Sequence, residues 1–290
     1  HCIPIRCLGW VALLDEVATT HRSLVVTKHG VPVARVVPIE AAAATAGSVT
    51  LSLAAGFGTP GARLTCAGGS TVSAVGGTAS FTGCRVDKAG AGYRLLATID
   101  GAGVTRLSAS FDIRVGGATH LAFTTQPGGG TGGVGWAAQP AVAVLDAGGN
   151  IVVDSGATIH LSVASGPGAL SCGANPLAVS SGTATFAGCS IDTAGAGYRL
   201  TAAAAGLASA SSAPFDVRVG VPARLVFTAQ PSAGTAGRPL TRQPALAVVD
   251  AGGNRVAGSG GQVALAITAG TGTPGASLSC RLATVSAGGT

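Results

Sequence analysis

Four stretches of this chain occur twice at nearly the same spacing. LAFTTQP at 121–127 returns as LVFTAQP at 225–231, and QPAVAVLDAGGN at 139–150 returns as QPALAVVDAGGN at 243–254, both 104 residues later. SFTGCRVDKAGAGYRLLA at 80–97 returns as TFAGCSIDTAGAGYRLTA at 185–202 after 105 residues, and SFDIRVG at 110–116 as PFDVRVG at 214–220. A chain that repeats itself with such a period folds as a row of equivalent units, each burying a core of its own and stacking on its neighbours. The boundaries follow: a partial repeat at 48–117, a complete one at 118–221, and a third at 222–290 that stops before its last strands. Residues 1–40 carry none of these motifs, and 41–47 read as a linker.

The complete unit contains THLAFTT, PAVAVLD, TIHLSVA, TATFAGC, GYRLTAAA and PFDVRV, short runs bounded by Gly, Pro, Asn or Ser, several alternating apolar with polar residues. That is strand patterning. Gly and Pro supply about a fifth of the chain while 10% is charged and 4% aromatic, a composition that excludes a coiled coil, a helical bundle and a charged disordered tail. Glycine is not spaced at every third position, so collagen is excluded too. The expected fold class is mainly β: tandem Greek-key sandwiches of immunoglobulin type, about seven strands in about 104 residues, with a short helix and hairpin at the N-terminus. Six of the seven Phe pair off between units (Phe81 with Phe186, Phe111 with Phe215, Phe123 with Phe227), and rings at equivalent points of equivalent strands are expected in the core rather than on a shared ligand platform.

The two tyrosines, Tyr93 and Tyr198, both stand in D-x-A-G-A-G-Y-R-L. Their placement is similar to the tyrosine corner of immunoglobulin-like sandwiches, where the hydroxyl bonds to backbone across a connection. Asp146 and Asp250 open the two copies of D-A-G-G-N. An Asx turn closing a hairpin is expected there rather than calcium binding, because the string of oxygen ligands of a calcium loop is absent. Cys66 and Cys84 are 18 apart, Cys172 and Cys189 are 17 apart, and Cys280 takes the first position of a third pair without a second. One pair per repeat reads as a disulfide and hence an oxidising compartment, with buried reduced thiols as the other reading. Together these features resemble the tandem immunoglobulin-like repeats of bacterial secreted and surface proteins, including invasin-type adhesins, over 48–290.

The first forty residues differ in kind. Both Glu residues, Glu16 and Glu40, lie there. LGWVALLDEVATT at 8–20 has helical spacing of its apolar groups, and SLVVTKHGVPVARVVP reads as strand, turn, strand. Over 5–39 this resembles the N-terminal half of the prevent-host-death (Phd/YefM-type) antitoxins. The resemblance implies binding of operator DNA and a cognate toxin, with Arg6, Arg22 and Lys28 as phosphate contacts. No basic cluster supports that, since four Lys/Arg face three acids in 1–40 and thirteen face eight in the rest. Where that family continues into a second helix and a toxin-binding tail, this chain has AAAATAG and enters a sandwich repeat part-way through. The join points to a chimeric gene fragment, as the missing Met and the stop at Thr290 point to a window cut from a longer protein. The hairpin at 23–38 is expected to fill the place of the strands the first sandwich lacks, covering its open edges.

Catalytic signatures are wanting. G-T-G-G-V-G at 130–135 fits the dinucleotide pattern only literally, lying between strands. Lys28 and Lys88 close no Walker loop, no Ser stands in G-x-S-x-G, and none of the five His recurs between repeats. His1, Cys2 and Cys7 lack a fourth metal ligand. The expectation is a structural or adhesive array with no enzyme activity and no cofactor. Its partners are a surface ligand or neighbouring repeats, its place the cell exterior, and no membrane span occurs because apolar runs are broken every few residues. The alternative is a cytoplasmic antitoxin whose function rests in residues 1–40.

Overall fold

The computed structural model describes residues 24–28, 31–36, 47–259, 262–280 and 284–286. All regular structure among them is strand. The expected helix at 8–20, with Arg6 and Arg22, lies outside the described residues. Two compact units are distinguished: one holds residues up to Val86 and Gly90–Asp112, the other Asp87–Ala89 and everything from Ile113.

In the first unit Leu24–Lys28 and Val31–Val36 pair antiparallel, with Leu24 opposite Val36 and Lys28 opposite Val31. This is the expected hairpin. It does not take the expected place, because the two strands form a sheet of their own. The inward-facing backbone groups of the two strands pair with each other, and among the described residues no ladder joins them to a third strand. A separate four-stranded sheet runs in the order Thr71–Ser73, Ser48–Leu53, Leu95–Ile99, Val104–Leu107. Tyr93, at the end of the Gly90–Tyr93 strand outside that sheet, is fully buried and stacked on Phe111 with ring centroids 6.0 Å apart.

Beside a two-stranded sheet that pairs Leu170–Ser171 with Ser190–Ile191, the complete repeat, in the second unit, has two main sheets. One is ordered His120–Thr125, Ala141–Leu145, Thr183–Thr185. The other is ordered Gly130–Thr131, Phe215–Arg218, Gly195–Ala203, Thr158–Ser165, Leu177–Ala178, with Ala210–Ser211 beside Gly195–Ala203. Thr158–Ser165 alternates because one of its faces is wet: Ile159 and Leu161 are buried while Thr158 and His160 are exposed. Ala141–Leu145 is apolar throughout because it is the central strand of its sheet, and its first four residues are buried. Leu121, Val142, Val144 and Ala184 from one sheet share a core with Ile159, Leu161, Leu200 and Ala202 from the other. Trp136 meets Phe215 edge-on at 5.0 Å, and Phe186 is buried beside them.

The third repeat contributes Arg224–Ala229 paired with Ala245–Val249, and Gln262–Ala264 paired with Thr284–Ser286. Here one expectation is corrected. Phe227, the counterpart of Phe123, is 43% exposed rather than core, and its sheet has two strands among the described residues where that of Phe123 has three.

The D-A-G-G-N turn as a candidate repeat joint

The D-A-G-G-N turns are built by a carboxylate that local backbone surrounds. Asp250 is fully buried, and its Oδ1 accepts the Asn254 amide at 2.8 Å while Asn254 Nδ2 donates to both carboxylate oxygens at 3.0 Å. Gly253 takes the left-handed φ of +95° that the turn requires, as Gly149 does at +80° in the earlier copy. So far this is the Asx turn anticipated from sequence. Three further bonds leave the turn, and all of them reach the repeat before it.

Oδ2 of Asp250 accepts the amide of Gly220, at the end of the preceding repeat, at 2.8 Å. The Asn254 side chain, oriented by Asp250, donates from Nδ2 to the Asp192 carbonyl at 2.7 Å and accepts the Ala194 amide on Oδ1 at 2.8 Å. A side-chain amide that donates and accepts at once pairs with the 192–194 backbone as a neighbouring strand would. Asp146 and Asn150 repeat the arrangement: Asp146 accepts Gly116 N at 2.8 Å, and Asn150 donates to Asp87 O at 2.8 Å and accepts Ala89 N at 2.9 Å. Each recurrent motif is thus half of one device. D-A-G-G-N grips, D-x-A is gripped, and the Gly after R-V is tied in.

The glycines set how closely the halves approach. A Cβ on Gly252 would fall onto the Asp192 carbonyl, and one on Gly133 would lie 2.6 Å from Gly252 N. Gly132 has no room either, facing Asn254 Nδ2 and the Asp192 carbonyl. The G-T-G-G-V-G run is therefore the floor on which the next repeat's turn rests. In the earlier copy Gly148 meets the Asp87 carbonyl in the same way.

The gripped loop is itself held from behind. Tyr198 is fully buried, its hydroxyl 2.5 Å from the Pro167 carbonyl and 2.7 Å from the carbonyl of Thr193, the residue between Asp192 and Ala194, so one proton is shared by two acceptors. Burial, then the Asp192 charge, pushes the Tyr198 hydroxyl up, which keeps that proton in place. Asp192 turns its side chain back to accept the Ala169 amide at 2.9 Å, the main reason its carboxyl lies below the usual value, with Thr193 adding to it against the opposing effect of burial. For Asp146 and Asp250, burial by itself would raise the pKa. The hydrogen bonds from Gly116 or Gly220, from the Asn backbone and side chain, and from the first turn Gly outweigh it, and both carboxyls stay charged below their ordinary 3.8.

The remaining sites fall elsewhere. Cys66 is bonded to Cys84 and Cys172 to Cys189, while Cys280 is an exposed free thiol. Gln139 secures the second bridge, its Oε1 accepting Cys189 N at 2.7 Å. Lys28 stands in the Leu24–Lys28 strand. Among the described residues no group of three His, Cys, Asp or Glu is placed to hold a metal ion, and no helix is long and apolar enough to cross a membrane. The sequence reading missed Asn150, Asn254 and the glycines at 132, 133, 148 and 252. Their signal was present, since a tight turn explains one left-handed Gly but not a second Gly and an Asn kept in both copies. No protein-family model matches the chain, and neither does any curated protein.

Proposed function

We propose that residues 48–290 act as a non-catalytic structural or adhesive array of immunoglobulin-like Greek-key repeats, carried by a bacterial secreted or cell-surface protein. The observation that supports this best is the joint: the most faithfully repeated residues of the unit are spent on holding the next unit, rather than on lining a cleft. The two disulfides suit an oxidising exterior. Each grip is made by side-chain and backbone groups of the chain itself, and the joint is expected to hold without calcium. Small-angle scattering tests this on the whole chain. Wild type is expected to give the same curve with and without a chelator, and Gly252→Ala, whose methyl meets backbone, to give a more flexible particle at unchanged strand content. A wild-type curve that changes on chelation contradicts the proposal.

A second function rests on the hairpin at 24–36, which the antitoxin resemblance anticipates. Operator DNA and a toxin would then be the partners of residues 1–40, in the cytoplasm. DNA binding that weakens steeply with salt would support it, and no binding at low salt would remove it.

A further inference from the structure

Phe57 is the one Phe of the seven that has no counterpart in another repeat. In the third repeat, where AGTGTPGA matches AGFGTPGA, Thr271 stands in its place, and the complete repeat has the shorter loop SGPGA. Phe57 is 41% exposed and lines a cavity of about 630 Å³ on the four-stranded sheet of the first repeat. The floor of that cavity differs from its copy as well. Leu96 and Leu107 are cross-strand partners on one face of the sheet, and both line the cavity. Their equivalents in the complete repeat, Thr201 and Ser211, are partners in the same register. That face is the outer one, since Leu200 and Ala202 on either side of Thr201 are buried in the core while Ser211 is exposed. The complete repeat, with both main sheets in place, leaves this face to solvent too, so an absent strand does not account for Leu107 being 42% exposed. Two hydroxyl side chains on an outer face have been exchanged for two apolar ones, against the usual polar-out pattern.

Basic groups complete the cavity. The Arg94 guanidinium carbon lies 5.3 Å from the Phe57 ring centroid. Its equivalent, Arg199, donates to the Ser212 carbonyl at 2.9 Å, whereas Arg94 reaches the Ser108 carbonyl only at 3.5 Å, which leaves most of its donors for another acceptor. Arg106 stands where the complete repeat has Ala210, and it borders the cavity from the edge strand. Among the described residues no carboxylate lines the cavity, and Thr105 is the one lining side chain with a hydroxyl. Leu96, Leu107, Arg106 and the unmatched Phe57 all distinguish the first repeat from its copy, and all four meet at this one place.

We infer that this cavity binds a small organic carboxylate with an apolar body. The body lies on Leu96, Leu107 and the open part of the Phe57 ring, and the carboxylate accepts from the planar fork of Arg94, with Arg106 adding positive charge at the rim. The volume falls in the range of small-molecule sites, about 300–1,000 Å³, and an apolar lining with a few placed polar groups is what such sites have. A sugar fits less well, because its several hydroxyls would find one hydroxyl and two guanidinium groups as partners. The site belongs to the first repeat, and the inference does not depend on the adhesive proposal.

Titration calorimetry of the full chain tests it with naphthoate as the probe and naphthalenemethanol as the uncharged compound of similar shape. Naphthoate is expected to bind once per chain, and the alcohol at least about tenfold more weakly, because it gives Arg94 no charged acceptor. Arg94→Gln is expected to weaken naphthoate by at least about tenfold and to leave the alcohol unaffected. The pair Leu96→Thr with Leu107→Ser is expected to weaken both compounds by at least about tenfold, through the lost apolar floor. That pair installs the residues the complete repeat carries in the same register, so an unchanged urea transition is expected with it and separates lost binding from lost folding. A wild type that binds no naphthoate at about millimolar concentration, an alcohol that binds as tightly as the carboxylate, or variants that bind naphthoate as the wild type does overturns the inference.

Discussion

Replacing Asp250 by alanine is expected to destabilise the joined repeats by about 4 kcal/mol at neutral pH, read as the shift of the first urea transition. The magnitude follows from the donors left behind. Gly220 N, Asn254 N and Asn254 Nδ2 all point at one buried carboxylate, each such charged bond is worth about 1.5–3 kcal/mol, and the terms share an acceptor and do not add in full. The pH dependence has a definite sign. Since the folded-state pKa lies below the ordinary 3.8, the unfolded chain binds the proton first as pH falls. The stabilisation is complete above the ordinary value and is lost as pH drops through the folded one. The gap between wild type and Asp250→Ala should therefore be full at pH 7, begin to close below about pH 4 and vanish in stronger acid. A gap that stays constant down to acid would show that the carboxylate's charge contributes nothing.

The second large effect concerns the Cys172–Cys189 bridge. Closing a loop with a sequence separation of 17 removes unfolded-state entropy worth about 3 kcal/mol. Cys189 is fully buried and Cys172 packs against the same core, so the double replacement by alanine also loses packed sulfur. The pair Cys172→Ala with Cys189→Ala is expected to cost about 4 kcal/mol, and reduction of the wild type slightly less, because the thiols still fill their space. Equal stability of oxidised and reduced protein in urea would show that the bridge does not constrain the unfolded chain.

Much of this architecture was legible before any coordinates. The repeat fixed where equivalent strands fall, and the runs TIHLSVA, PAVAVLD and GYRLTAA mark strands because their burial is written in the alternation or continuity of apolar residues. Cysteine spacing suggested the two bridges for the same reason, a local pattern seen twice. What stayed hidden depends on contacts that spacing does not encode. Asp250 was recognisable as a turn residue because its turn is local. The partners of Asn254 lie 60 and 62 residues away, and only the folded topology brings them within reach. G-T-G-G-V-G looked like a chance product of a glycine-rich chain because its purpose is to leave room for another segment's backbone. Phe227 misled in the opposite direction: its strand repeats the sequence around Phe123, yet in a sheet of two strands among the described residues it is 43% exposed.

Amide hydrogen exchange at Ala194 and Gly220 tests the joint most directly, since these two N–H groups are given to Asn254 and Asp250 of the next repeat. Both should be protected in the whole chain, with or without a chelator. In Asn254→Ala the Ala194 amide should exchange at least about tenfold faster, the loss of about 1.4 kcal/mol or more of local protection, while Leu200 in the core of the same repeat is unchanged. An Ala194 amide that exchanges freely in the wild type, or that is equally protected in Asn254→Ala, would contradict the claim that D-A-G-G-N joins one repeat to the next.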